Sequence, residues 1–204
     1  MSLIEATRII IRIFKMITEI DAINRMLRYI GELPIPSTVT IDQLPQGHEA
    51  VIARTVLSET LREEQEEKWW FNTFDIRLVP DSQGYLLLPT NIIAFEDDEV
   101  FQEGGLLYTR TDSSPIFTEP REMTVRYNIT FDNLPDVFRT YVILVASRHL
   151  HTYLNGDDTT QKELEQKINQ ARVKVEREHL KQKKFNLVRG NRLIDRGTNP
   201  TAVT

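Results

Sequence analysis

The chain has 204 residues and a mass of 23.8 kDa, enough for one compact domain or two small ones sharing a core. Apolar residues make up 40% and charged residues 27%, a globular composition, and the absence of cysteine excludes a disulfide scaffold, a thiolate metal site and a cysteine nucleophile. The net charge of -5 is unevenly spread: from Arg172 to Arg196 nine Lys/Arg meet three Asp/Glu, net +6, which leaves -11 on the rest.

No run approaches the roughly 18 apolar residues of a membrane span. The best candidate, Ile9-Ile10-Ile11, is broken by Arg8, Arg12 and Lys15. The start offers neither the clean apolar region nor the cleavage site of a secretory signal, so the protein is expected to be made and kept in a cytoplasm. The same start resembles a basic amphipathic segment, but its polar face is mixed in charge, and a helix packing on other helices is the preferred reading.

The first helix is expected from near Leu3 to Ile30. Ile13, Ile17, Ile20, Ile23, Leu27 and Ile30 keep to one helical face. Thr18 followed by Asp21 can cap a fresh start in mid-run. Gly31 is a fitting residue just beyond the end, and Pro34 and Pro36 forbid continuation. A loop to Gln46 follows. A second helix is expected from about Gly47 to Lys68, buried through Ala53, Val56, Leu57 and Leu61. Its second half carries Glu59, Glu63, Glu64, Glu66 and Glu67, which reads first as a solvated face.

The period then changes to two. Phe74, Ile76 and Leu78 alternate with polar neighbours, Asp81-Ser82-Gln83-Gly84 is turn chemistry, and Tyr85 to Leu88 is expected to return as the partner strand. Short apolar pieces follow at 92–95, 100–101, 106–108 and 116–117, with Gly104-Gly105 among the turns between them. Met123, Val125, Tyr127, Ile129 and Phe131 give the cleanest alternation in the chain. Helix resumes near Pro135, with Asn133 as a possible cap, and runs to Leu154 with apolar residues on more than one face, as suits a central helix. Asn155-Gly156 ends it. Asp158 and Gln161 form a box-like start for a fourth helix, whose Leu164, Ile168, Ala171 and Val175 define one narrow buried face to about Phe185.

The expected fold class is α+β. A four-helix bundle is built from residues 1–70 and 132–185, a small antiparallel β domain is inserted over 71–131, and 186–204 form an extended C-terminal tail.

Catalytic motifs are missing. His149 and His151 lie about 200° apart on a helix and cannot share a metal. His48-Glu49 lacks the second histidine of a zinc protease, since Ile52 stands there. Asp97-Asp98-Glu99 and Asp157-Asp158 lack a calcium loop's ligand spacing and read as turns or caps. No phosphate-binding glycine loop or nucleophile elbow occurs, and no cofactor or metal is expected. Carboxylates are plentiful, so acid–base glycoside cleavage stays open with no residue singled out. The basic end admits phosphate binding, contact with an acidic protein surface, or simple solvation. Protein contact is favoured over phosphate because only Phe185 offers a stacking platform there.

Several runs, taken in order, resemble one family. Ala22-Ile23-Asn24 with Ile30-Gly31-Glu32 and Pro34 resembles the first helix and turn of the tail tubular protein A family, the head-to-tail adaptors of short-tailed bacteriophages. Trp69-Trp70-Phe71-Asn72 resembles the family's Trp-x-Phe-Asn. Leu88-Pro89 and 93–97 look like its central strands, and Tyr108-Thr109-Arg110-Thr111 matches its Tyr-x-Arg-Thr. Pro135, Phe138-Arg139 and Ala146-Ser147-Arg148, with Gly156 behind, resemble its third helix. Each motif alone is weak, but order and spacing together are specific from about residue 19 to 185. The first 16 residues are longer and more apolar than the family's usual start, and the stretch after Phe185 matches poorly.

The resemblance implies a non-enzymatic structural protein of the virion neck, with Gly31, Trp69, Phe71, Asn72, Tyr108, Arg110, Pro135, Phe138, Arg139 and Arg148 as structural family residues. It implies a homo-oligomeric ring of about twelve subunits beneath the portal protein. That ring joins the DNA-filled head to a nozzle of tail tubular protein B, tail fibres attach nearby, and double-stranded DNA passes through it. A conduit should not grip DNA, so some of Glu59, Glu63, Glu64, Glu66 and Glu67 are expected to face the lumen. The basic end, with Lys183, Lys184, Arg189, Arg192 and Arg196, is expected to dock on the portal. Trp69 and Phe71 are read as core residues at a hinge in preference to interface anchors. The competing functions are a tail-associated glycan hydrolase and a nucleic-acid-binding protein using the basic end.

Overall fold

The computed structural model describes residues 17–36, 38–44 and 49–195, with side chains described as far as Lys183. The expected start of the first helix before Ile17, and Gly47 and His48, lie outside the described residues. Those described form α1 (Glu19–Tyr29), α2 (Glu49–Glu64), β1 (Thr73–Leu78), β2 (Ile92–Glu96), β3 (Val100–Glu103), β4 (Leu106–Thr109), β5 (Arg121–Tyr127), α3 (Asp136–Leu154) and α4 (Asp158–Asp195). Helices and small antiparallel sheets make this an α+β fold. The chain divides into two compact units. A helical unit holds the described chain up to Glu63 together with Thr130–Arg172, and a sheet unit holds Glu64–Ile129 together with the chain from Val173 on.

In the helical unit, α1 starts where a cap was expected. Thr18 Oγ1 accepts the Asp21 amide at 3.2 Å, and the Asp21 carboxylate accepts the Thr18 amide at 3.2 Å. The helix ends in a Schellman arrangement: the Glu32 amide reaches the Leu27 carbonyl at 3.0 Å across Gly31, whose φ of 79° suits glycine. Asn24 then clasps the departing loop, accepting the Ile35 amide at 2.6 Å and donating to the Ile35 carbonyl at 3.0 Å. Pro135 is the N-cap residue of α3, and Asn133 sits in the 3-10 turn before it. Ten residues of α3 are buried, which makes it the central helix of the unit. The cap of α4 is Asp157, one residue before the expected Asp158. Its carboxylate accepts the Thr160 amide at 2.9 Å, and Gln161 turns instead to His151 and Thr152.

In the sheet unit β5 is central, flanked antiparallel by β1 and β2, and β3 pairs with β4 in a separate hairpin closed by Gly104-Gly105 with φ of 57° and 85°. The core gathers Leu86, Val100, Leu107, Phe117, Met123 and Val125. The expected pairing of β1 with 85–88 does not form. β1 takes β5 as its partner over six residue pairs, from Thr73–Arg126 to Leu78–Arg121. Asp81 explains the difference. Its carboxylate accepts the Gln83 and Tyr85 amides at 2.8 and 2.9 Å, so the chain closes a local turn, and Leu87 makes only an isolated bridge to Leu106.

Two helix ends also differ from expectation. α2 stops at Glu64 because side chains take over its terminal carbonyls. Trp69 Nε1 donates to the Glu64 carbonyl at 2.8 Å, and the Asn72 amide donates to the Gln65 and Glu67 carbonyls at 2.8 and 3.3 Å. α4 runs on to Asp195, so residues 186–195 are helical and not an extended tail.

Gln65, fully buried, ties the base of the sheet unit. Its amide donates to the Ile129 carbonyl at 3.0 Å and to Asn128 Oδ1 at 3.3 Å, and its oxygen accepts the Ile129 amide at 2.8 Å. Replacing it with methionine of similar shape leaves buried backbone groups unpaired, and should cost about 2–3 kcal/mol. Urea unfolding of Gln65→Met is expected to show a lowered midpoint, and an unchanged midpoint would contradict this role.

Candidate assembly surfaces

The family-motif residues are spread over the core, the hairpin and the helix ends. Trp69 is 3% exposed and Asn72 is buried; Asn72 Oδ1 accepts the Trp69 amide at 3.0 Å and the Thr73 hydroxyl at 2.9 Å. Trp69 therefore lies in the core, at the switch from helix to strand, while Phe71 is half-buried against Trp70 at 5.0 Å. Phe138 and Arg139 are buried in α3. Arg139 donates to the carbonyls of Leu134, Asp132 and Ile17 at 2.8, 2.9 and 3.0 Å and lies 3.7 Å from Asp136. This guanidinium tolerates burial because its donors meet carbonyl oxygens. Tyr108 stacks on Phe101 at 5.5 Å in the hairpin, and Arg110 lies over the same ring at 5.9 Å. Gly31 and Pro135 end and begin helices, and Arg148 is half-buried on α3.

The charged candidates that are described are exposed, apart from Glu64. Glu59, Glu63, Glu66 and Glu67 are exposed and Glu64 is half-buried. Of the basic end, Lys183 is exposed, the Lys184, Arg189 and Arg192 side chains lie outside the described residues although their backbone is helical, and Arg196 lies outside entirely.

Several polar clusters had little or no signal in the sequence. Arg121 holds Asp97 through a two-point contact and reaches Glu99 at 2.7 Å. The Arg121 hydrogen bonds hold the Asp97 carboxyl below its ordinary range and push the guanidinium up. His151, 1% exposed, places one ring nitrogen 2.7 Å from the Asp157 carboxylate and the other 3.0 Å from the Gln161 amide. His149 faces Thr60 at 3.2 Å, so the two histidines serve different neighbours. In the sheet unit His179 packs on Trp69 at 5.7 Å and Trp70 at 6.1 Å. Its Nδ1 is buried without a hydrogen-bond partner among the described residues. Among the described residues no three His, Cys, Asp or Glu side chains converge as a metal site would require, and no helix is long and apolar enough to cross a membrane.

The described residues thus present buried polar clasps beneath solvated charged faces. Comparison with known proteins assigns the family. The profile of the family described as tail tubular protein matches residues 20–185. The chain therefore belongs to the tail tubular protein family, and it is a structural component of the phage virion tail. It is 24% identical over 171 residues to Tail tubular protein A of Klebsiella phage KP34, a match covering 82% of this chain and 89% of that relative.

The His179 contact carries a pH dependence. Burial, with Lys183 adding repulsion, pushes its pKa below the ordinary 6.5. A group lowered on folding contributes stability that is complete above the ordinary value and lost as pH falls through the lowered one. His179→Phe should therefore lose less stability than the parent between pH 7.5 and pH 5, read as urea midpoints. Equal losses would contradict the assignment.

Proposed function

We propose that this chain is the subunit of a head-to-tail adaptor, a ring of about twelve copies closed by one contact repeated by rotation. Its helices form the four-helix bundle expected from the sequence, carrying the β unit as an insert. In this reading the ring joins the portal protein to a nozzle of tail tubular protein B, tail fibres attach close by, and double-stranded DNA leaves the head through the lumen. Assembly takes place in the host cytoplasm. The observation that carries the reading is the extent of the family match, which runs through both units. Its likeness to Tail tubular protein A at nearly full length points the same way.

Charge distribution supplies the mechanism. Cationic walls would release counterions on meeting DNA and slow its passage, whereas acidic walls hold no phosphate. Some of Glu59, Glu63, Glu64, Glu66 and Glu67 line the lumen in this proposal. The basic end, Lys183, Lys184, Arg189, Arg192 and Arg196, docks on the portal, where opposite charge speeds encounter.

Light scattering of the chain mixed with portal protein tests the ring. Twelve chains of 23.8 kDa add roughly 286 kDa to the portal. A chain that stays monomeric with portal present would falsify the reading. Two variants test the surfaces in particles. Glu66→Lys with Glu67→Lys should slow DNA ejection, and removal of 187–204 should leave a folded chain that no longer attaches to filled heads. Unchanged ejection, or normal attachment, would overturn the respective role.

A further inference from the structure

The helical unit carries a groove of 370 Å³ between α1 and α3, lined by Arg25, Arg28 and Tyr29 and by Thr140, Ile143 and Leu144. Its floor is apolar, with Ile143 buried and Leu144 half-buried, and its rim is cationic. Among the described residues neither Arg25 nor Arg28 meets a carboxylate; Arg28 Nε donates to the Asn24 carbonyl at 3.3 Å. Two guanidinium groups one helical turn apart over an apolar floor select a partner that offers carboxylates beside aliphatic side chains.

α2 offers that pattern. Ile52, Val56, Glu59 and Glu63 are spaced four, three and four residues apart and so share one face. Ile52 is 37% exposed, Val56 is half-buried where the sequence pattern places it in the buried face, both glutamates are exposed, and neither glutamate meets a cation among the described residues. The two carboxylates are one turn apart, as the two arginines are.

Position favours a contact between copies. Thr60 on α2 meets His149 on α3 at 3.2 Å, which places α2 against that side of α3. His149 follows Thr140, Ile143 and Leu144 by nine, six and five residues, about 180°, 120° and 140° around the helix at 3.6 residues per turn. α2, which carries the acidic stripe on a flank next to Thr60, thus packs on the side of α3 away from the groove. A two-fold dimer pairs a surface with itself, whereas complementary surfaces on opposite sides pair head to tail and repeat.

We propose that the groove between α1 and α3 seats α2 of a neighbouring copy. Glu59 and Glu63 meet Arg25 and Arg28, and Ile52 and Val56 rest on Ile143 and Leu144. This rests on the ring reading and names its subunit contact; it leaves Glu64, Glu66 and Glu67 for the lumen.

Charge exchange tests it in the presence of portal protein. Arg25→Glu with Arg28→Glu should abolish the ring, as should Glu59→Arg with Glu63→Arg, while all four together should restore it. Unfolding midpoints equal to the parent's establish that each variant is folded. Because the chain has no cysteine, Ile52→Cys with Thr140→Cys should give an oxidation-dependent ladder of linked subunits that neither single variant gives. A ring that forms in every charge variant, with no ladder, overturns the groove contact and leaves the ring reading standing. A parent chain that forms no ring removes both. Shielding of Thr140→Cys from maleimide that is lifted by deleting residues 2–16, with no ladder, assigns the groove to the chain's own N-terminal segment and also overturns the proposal.

Discussion

The structure depends on what becomes of backbone groups where the chain enters and leaves the sheet unit. These crossings interrupt regular hydrogen bonding, and buried peptide groups without partners are costly. Gln65 and Asn72 solve the problem with side-chain amides. One ties Asn128 and Ile129 to the end of α2; the other closes the turn from helix to strand. An amide carries both a donor and an acceptor, so each side chain satisfies two or more orphaned groups at once. In the helical unit Arg139 plays the matching part with three carbonyls, donating only because carbonyls alone need partners there.

Hydrophobic period made most elements legible. The stripe through Ile23 and Leu27, the alternation of Met123 and Val125, and the all-round apolar character of α3 each depend on local spacing, which sequence displays directly. The Thr18–Asp21 start was readable for a related reason, because a capping box needs only residues three apart. Strand pairing was not readable in this way. β1 is followed by ordinary turn chemistry, yet its partner lies more than forty residues on, and nothing in the Asp81 turn records that β5 lies beside β1. The end of α2 was missed for a similar reason: the groups that stop it, Trp69 and Asn72, act back on carbonyls several residues earlier.

The polar clusters were harder still. Asp97 reads as part of a turn, but its partner Arg121 is 24 residues away and no spacing pattern links the two. Gln65 reads as one more polar residue in an acidic run; only burial reveals that it is a clasp. Among the family-motif residues, Trp69, Asn72, Phe138 and Arg139 prove to be buried ones, which explains why they mark a fold. The surfaces that would meet partners are built instead from solvated charges, whose roles no spacing rule announces.

The buried stripe of α4 has an implication for how such a chain can change. Leu164, Ile168 and Ala171 are buried in the helical unit and Val175 in the sheet unit, and the four-three-four spacing passes the boundary without a break. Each residue of an α-helix advances the face by about 100°. A single residue inserted or deleted between Ala171 and Val175 would turn the later part of the stripe by about 100° relative to the earlier part. Substitution at the solvated positions of α4 leaves this stripe intact, whereas a change of length alters its phase.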